Sequence, residues 1–415
     1  MRVTMDTGIN WVRQASWFLF GQGLSQIGSQ VVQFALIWHL TIDSRSGATV
    51  TVATLVGMLP MVLLAPFGGM LADRYSRRKL IAVADTLVAI TTVLLLLLLM
   101  AGQGSYLVFF AALLLRGCGQ GVQVPAVAAL LPQIVPAKQL GRFNGYNASI
   151  HAAMTLLSPI LAAALLGIMP LHLVLLVDIV TALIGVGILL LALATPPPEG
   201  ASDARRRHPL GDIVEGVRYI HGNHFVRRLL AYFVLLNFLA APVALLTPLQ
   251  VVRTFGGDET HLTVVEVAFS AGMILGGILV GFWGTRSSRT TTVSSAILVL
   301  GGLTIALGLP TTFLLYSAIM LVSGVFLPFL NTPAITMVQL SVEEKLMGRV
   351  SSILMMISNL AVPLGMAVMG PLADRFSVEL LLLVTGASML LVGLRMVCDG
   401  WLRANEPNDA AQASM

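Results

Sequence analysis

Gln22, Gln26, Gln30 and Gln33 recur at spacings of 4, 4 and 3 within one apolar stretch. At about 3.6 residues per turn they share one helix face, with Ser29 beside them. An amide both donates and accepts, so such a row can line a wet path or hold the polar groups of a ligand. It can equally bond neighbouring helices, where each contact is worth about 0.6 kcal/mol. Four in a row favour the wet wall. A later stretch carries Arg116, Gln120 and Gln123, and two further ones carry Asn237 and Asn331. A lipid-facing arginine at mid-depth costs at least about 2.5–3.5 kcal/mol, so Arg116 is expected to turn inward to a partner. His151, Asp178 and Glu266 are the groups that could take up and release a proton in apolar surroundings. A hydrogen-bonded structural role for His151 is the competing reading.

Composition says what must position these residues. Of 415 residues, 57% are hydrophobic and 10% charged, and the mean hydropathy is +0.89. A water-soluble chain would carry about 25% charged residues, so most of this surface meets lipid. Within a bilayer each backbone group must be satisfied by the protein itself, which leaves helices or a closed barrel. Apolar runs such as 81–101 and 171–195 are long enough to select helices. The predicted class is an all-α polytopic membrane protein. Twelve spans are expected, at 15–40, 48–72, 80–101, 105–131, 143–166, 171–195, 226–251, 262–284, 290–308, 312–338, 347–372 and 378–402.

The net charge of +5 and the pI near 9.6 do not point to nucleic acid, because the cations lie mainly in connections on one side. Only Arg45, Arg253 and Arg375 fall on the other. That asymmetry predicts two cytoplasmic termini in a plasma membrane, the inner membrane of a bacterium. The first span is read as a retained helix and not as a signal peptide. Cys118 and Cys398 match no metal or redox spacing, and no cofactor or metal is expected.

The longest connection, 196–225, opens on Pro196-Pro197-Pro198 and runs through Arg205-Arg206-Arg207. Its segment 212–221 could form an amphipathic surface helix. It would separate an N-terminal six-helix bundle (1–195) from a C-terminal one (226–404), followed by a cytoplasmic tail (405–415). An internal repeat supports the division. Leu140-Gly141-Arg142 corresponds to Met347-Gly348-Arg349 at an offset of 207 residues, which Gly117 and Gly324 share.

The connection after span 2 reads Gly68-Gly69-Met70-Leu71-Ala72-Asp73-Arg74-Tyr75-Ser76-Arg77-Arg78-Lys79. Its glycines allow close helix approach, and Asp73 can accept from an arginine or from free N–H groups at a helix start. The order Gly69-x-Leu71-Ala72-Asp73-Arg74-x-x-Arg77-Arg78 resembles motif A of the major facilitator superfamily (MFS), at the position that family uses. In the family this loop latches the cytoplasmic side. The resemblance implies that role for Gly69, Asp73, Arg74, Arg77 and Arg78, with Asp85 near enough to join it. Gly370-Pro371-Leu372-Ala373-Asp374-Arg375 nearly repeats the motif after span 11 but emerges on the opposite face. Asp374 and Arg375 either form an outer counterpart of the latch or simply end a helix at the interface.

Arg116-x-x-x-Gln120-Gly121 is similar to motif B, Arg-x-x-Gln-Gly, with one extra residue. The family gives that arginine a part in proton coupling. Ser158-Pro159-Ile160-Leu161-Ala162-Ala163 is a relaxed form of motif C, associated with antiporters. Many relatives have an acid after the glycine of the first helix, where this chain has Gly28-Ser29. The segments 33–38, 57–60, 131–136 and 157–159 resemble the macrolide-efflux and related drug- or siderophore-exporter subgroup.

The resemblance implies twelve transmembrane helices in two pseudo-symmetric six-helix bundles that rock about a midplane site. Helices 1, 4, 7 and 10 of that fold line the cavity. The residues expected there are Gln22, Gln26, Gln30, Gln33, Arg116, Gln120, Gln123, Asn237 and Asn331. The leading expectation is secondary active export of an amphipathic or hydrophobic small molecule by proton antiport, from a functional monomer. The partners are then that molecule, protons and the bilayer. Uptake or facilitated diffusion of a small metabolite is the alternative. A membrane-embedded enzyme would need clustered carboxylates or a His/Asp pair, and neither Asp-Asp-x-x-Asp nor His-x-x-x-x-Asp occurs. A non-transporting sensor would ordinarily add a soluble output domain.

Overall fold

The computed structural model describes residues 11–192, 217–256, 259–283, 288–309, 312–342 and 344–406. Among them every regular element is a helix. Spans 1–6 are α1 (Trp11–Ser44), α2 (Gly47–Arg74), α3 (Arg77–Met100), α4 (Tyr106–Ile134), α5 (Ala137–Ile168) and α6 (Leu171–Ala192). A short helical segment at 217–222, α7, is followed by spans 7–12. These are α8 (His224–Phe255), α9 (Glu259–Trp283), α10 (Arg289–Leu307), α11 (Phe313–Ser341), α12 (Glu344–Arg375) and α13 (Val378–Cys398). A last short helix, α14, covers Gly400–Ala404.

Eleven of these helices are long and apolar enough to cross a membrane. The twelfth long helix is α1, where four glutamines dilute the apolar run. The chain is thus an all-α polytopic membrane protein. The widest boundary differences are at α5, which starts well before its apolar run, and at α1, which extends past its run at both ends. A helix satisfies its own backbone as well in the polar interface as in hydrocarbon.

The buried positions of α3 are Ile81, Ala84, Asp85, Val88, Thr91, Thr92 and Leu95. Their three- and four-residue steps make one inward face. Prolines lie inside α2 (Pro60, Pro66), α4 (Pro125, Pro132), α8 (Pro242, Pro248) and α11 (Pro328, Pro333). Packed membrane helices tolerate them because neighbours re-satisfy the freed carbonyls. α8 has a defined start and stop. Asn223 accepts from the N–H groups of Phe225 and Val226, both at 3.1 Å, and Gly256 closes the helix at φ 60°.

Contacts divide the chain into two compact units. Unit 1 comprises Met1–Leu36 and Val56–Arg206, and unit 2 comprises Ile37–Leu55 and Arg207–Met415. The α1–α2 corner is grouped with unit 2. The cause is close packing of the first turns of α2 on α12. A Cβ on Gly47 would overlap the Gly370 carbonyl, and one on Gly370 would overlap the Thr51 hydroxyl.

Within unit 1, α3 packs along α4 and α6, and an apolar cluster includes Phe18, Ile81, Leu130 and Leu189. Within unit 2, α9 lies on α11, α10 on α13 and α12 on α8. The repeat is visible in packing. A Cβ on Gly117 of α4 would overlap the Gly57 carbonyl of α2, and one on Gly324 of α11 would overlap the Phe269 carbonyl of α9. The two glycines that share the 207-residue offset therefore perform the same close approach, one in each unit. In α7, Ile220 joins the core of unit 2 and the Tyr219 hydroxyl donates to the Ser341 carbonyl at 3.1 Å. The remainder of the suggested surface helix lies outside the described residues.

Candidate functional site

Three helices of unit 1 carry polar residues seven apart: Gln22 and Ser29 on α1, Asp85 and Thr92 on α3, Arg116 and Gln123 on α4. Seven residues are nearly two turns, so each pair shares a face with members about 10 Å apart. Because the sequence order reverses on α4, Gln123 meets Asp85 and Arg116 meets Thr92. The result is a ladder of two polar rungs.

The first rung is charged. The Arg116 and Asp178 side chains, both wholly buried, form an ion pair. The same guanidinium donates to the Thr92 hydroxyl and, at 2.9 Å, to the Ser29 carbonyl. Thr92 donates to Asp178 Oδ2 at 2.6 Å and Ser29 to Asp178 Oδ1 at 2.7 Å. Both oxygens of Asp178 are thus engaged, by groups from three other helices. Such a pair holds helices together best when its remaining capacity is filled. Here both carboxylate oxygens are filled, and Arg116 Nε is the one buried nitrogen of the guanidinium without a partner.

The second rung is uncharged on all sides but one. Asp85 is 3% exposed. It accepts from Gln22 Nε2 at 3.4 Å and from Gln123 Nε2. Among the described residues no ion pair involves it, and Gln22 Oε1 is buried without a hydrogen-bond partner. A carboxylate held by amides alone, next to a spare acceptor, can accommodate a proton without losing its neighbours. With Asp85 protonated, its hydroxyl can donate to that oxygen after a simple amide rotation.

Several expectations change at this point. Gln22, Arg116 and Gln123, expected on a cavity wall, lie inside the helix packing of unit 1, where the two acids use their donors. Gln26 is also buried, while Gln30, Gln33 and Gln120 are half-buried. Asp85, expected beside the loop latch, instead forms the second rung, since its helical face points at α1 and α4. Thr92 carried no expectation, although its spacing from Asp85 repeats that of Gln22 to Ser29. His151 and Glu266 are half-buried on α5 and α9, away from both rungs in sequence. Asn237 donates to the Phe233 carbonyl of its own helix at 2.8 Å, and Asn331 is half-buried. In unit 2 the buried Tyr316 hydroxyl donates to Gln250 at 2.9 Å.

The motif A cations also find partners inside unit 1. Arg77 donates to the carbonyls of Ala72 (3.1 Å) and Ala129 (2.6 Å), and Arg78 to that of Leu190. These lie near the C-terminal ends of α2, α4 and α6, where cations complement the helix dipole. Arg74 is exposed, and the Asp73 side chain lies outside the described residues. The closely packed glycine is Gly68, not Gly69. A Cβ on Gly68 would sit 2.6 Å from the Gly121 carbonyl and 2.8 Å from Pro125, whereas Gly69 has open space. Gly68→Ala is therefore expected to cost about 1–3 kcal/mol, the scale of overpacking. Gly69→Ala should be neutral or stabilising. Thermal unfolding of the two purified variants checks this, and equal shifts would contradict it.

The near-copy of the motif forms a second polar cluster, within unit 2. Asp374 accepts from the N–H groups of Gly47 (2.7 Å) and Ala48 (2.8 Å) and from the Ser46 hydroxyl (2.9 Å). It thereby caps the start of α2 from another helix. The cation beside it is Arg253, at 2.9 Å, and not Arg375, which is exposed. Arg253 also donates to the Arg45 carbonyl at 2.6 Å. Arg45 holds the corner with φ 48°.

Comparison with known proteins agrees with this architecture. The chain is 28% identical over 396 residues to macrolide efflux protein A of Streptococcus pyogenes, covering 95% of this chain and 97% of that protein. It is 25% identical over 408 residues to the multidrug efflux pump Tap of Mycobacterium bovis, covering 94% and 92%. A solved bacterial homologue of the iron transporter ferroportin, in an inward-facing state, shares the fold with a TM-score of 0.67. It is 18% identical and covers 93% of this chain and 98% of that one. The Major Facilitator Superfamily profile matches residues 18–366 and 229–414, and with the polytopic helical fold this makes the chain a transporter of the Major Facilitator Superfamily.

Proposed function

We propose that this transporter exports amphipathic or hydrophobic small molecules of the macrolide type across a bacterial inner membrane, in exchange for protons, by alternating access. Both termini would lie in the cytoplasm, on the cation-rich side. The substrate class rests on the full-length likeness to macrolide and multidrug efflux proteins. The proton assignment rests on one observation: Asp85 is buried with amide partners only, one rung from an ion pair in which both oxygens of Asp178 are already engaged.

Among the buried acids Asp85 is the better proton carrier. Protonating Asp178 would break its pairing with Arg116 and strand a buried guanidinium. Protonating Asp85 exchanges one accepted hydrogen bond for one donated to Gln22 Oε1. Arg116 and Asp178 then serve as a fixed scaffold. The half-buried glutamines Gln30 and Gln33 are suited to meeting a ligand's polar groups while the surrounding apolar residues take its hydrocarbon.

The test uses purified protein in proteoliposomes that enclose a pH-sensitive dye, challenged with macrolides and lipophilic drugs. Macrolide movement with an opposite proton flux is the expected result. Macrolide movement with no proton flux would reduce the protein to a facilitator. Flux of both in the same direction would make it an uptake system, and silence across the panel would remove the substrate class.

A further inference from the structure

We propose that the cleft between the start of α8 and the end of α13 binds the phosphate of an anionic phospholipid. A cavity of about 490 Å³ opens there, with Arg228, Tyr232, Arg395 and Asp399 on its polar side and Leu235 and Val392 on its apolar side. It lies wholly within unit 2 and apart from the polar ladder, so it is independent of what the protein transports.

The polar side is built and not merely charged. Asp399 accepts from Arg228 at 3.0 and 3.4 Å and from the Tyr232 hydroxyl at 3.3 Å. It is itself fixed by the Leu402 N–H at 3.1 Å, as the cap of α14. Arg228 is stacked over the Trp401 ring, 4.7 Å from its centroid. The bond to Asp399 engages one guanidinium nitrogen, Nη1. Arg395 is exposed on α13 and lines the same cleft beside Tyr232. Two guanidinium forks face the cleft against one carboxylate, which leaves a net positive site of the geometry that phosphate oxygens match.

The fold does not require these arginines. The repeat offset of 207 residues relates Arg228 to Gly21 and Arg395 to Ile188. In unit 1 those two residues pack on each other, since a Cβ on Gly21 would sit 3.1 Å from Ile188. The same crossing is closed and apolar in one unit, and open and cationic in the other.

The rim says that the ligand is a lipid. Leu391 and Leu394 of α13 are 68% and 52% exposed, and Trp401 is 40% exposed. Exposed leucines ending at a tryptophan mark the boundary between hydrocarbon and headgroups. A phosphodiester at Arg228 and Arg395 would leave its acyl chains along α13. A free anion would gain nothing from that apolar border. On the cation-rich face the bilayer also presents its anionic headgroups.

Delipidated full-length protein in detergent, titrated in native mass spectrometry with phosphatidylglycerol and with phosphatidylcholine of the same chains, tests the site. Phosphatidylglycerol should bind about tenfold more tightly to the wild type, the scale of one or two charge-assisted hydrogen bonds. Arg395→Gln should lose most of that preference, and Arg395→Lys, which keeps the charge but not the fork, should fall between. Arg403→Gln removes an exposed cation outside the cleft and should leave the preference unchanged. Full preference in Arg395→Gln would overturn the proposal. So would an equal loss in Arg403→Gln, which would mean diffuse surface charge. Displacement of the lipid by millimolar inorganic phosphate would overturn it in favour of a free-anion site.

Discussion

Arg116→Met is expected to destabilise the protein by about 3–5 kcal/mol, because it leaves the Asp178 carboxylate charged and buried without its counter-ion. Asp178→Leu should cost a similar amount, by stranding the guanidinium. The double variant should recover much of the loss. It removes both charges together, and the Thr92 hydroxyl, no longer donating to Asp178, can turn to the Val88 carbonyl 3.0 Å away. A double-mutant cycle read by denaturant unfolding in mixed micelles measures this coupling. Single variants within about 1 kcal/mol of the wild type would show that the pair does not hold α4 to α6.

Asp85→Asn should leave the fold nearly intact while uncoupling transport. Asparagine occupies the same volume, can accept from one glutamine and can donate to Gln22 Oε1, so few buried groups lose partners. It cannot exchange a proton at any ordinary pH. Substrate-driven proton flux should therefore fall on the order of a hundredfold, the usual scale when a proton-transfer group is removed. Exchange of labelled for unlabelled substrate, which needs no net proton movement, should persist. Asp85→Leu serves as the contrast, since two buried amides then lose their acceptor, at about 1–3 kcal/mol each. Undiminished proton flux in Asp85→Asn would remove the carboxylate from the coupling mechanism.

Much of this arrangement is written along the chain, and the remainder concerns direction around a helix. Eleven of the twelve long helices follow from hydropathy, and α1 from its apolar run around the glutamines. The ladder does not: its seven-residue step gains meaning only once the three helices are packed, and spacing alone puts Gln22, Arg116 and Gln123 on a cavity wall. What linear spacing does not encode is which helix stands next to which, and so the pairing of Arg116 with Asp178 emerges only from the packing of α3 between α4 and α6. Adjacent residues on a helix point about 100° apart. For this reason Gly68 packs while Gly69 stands open, and Asp374 finds Arg253 across space while its sequence neighbour Arg375 points outward. The small-residue rule identifies the right segment, and packing selects Gly68 within it.

The buried ion pair also bears on how the protein is made. Asp178 lies 62 residues after Arg116. At about 5–20 residues per second the ribosome takes roughly 3–12 s to cover that distance. During this interval α4 carries an arginine whose counter-ion has not yet been synthesised. The groups already present are the Ser29 carbonyl and the Thr92 hydroxyl, which belong to earlier helices and can shelter the cation in the meantime. Biogenesis therefore favours a nascent chain in which α1, α3 and α4 gather at the insertion machinery and wait for α6 to lock them.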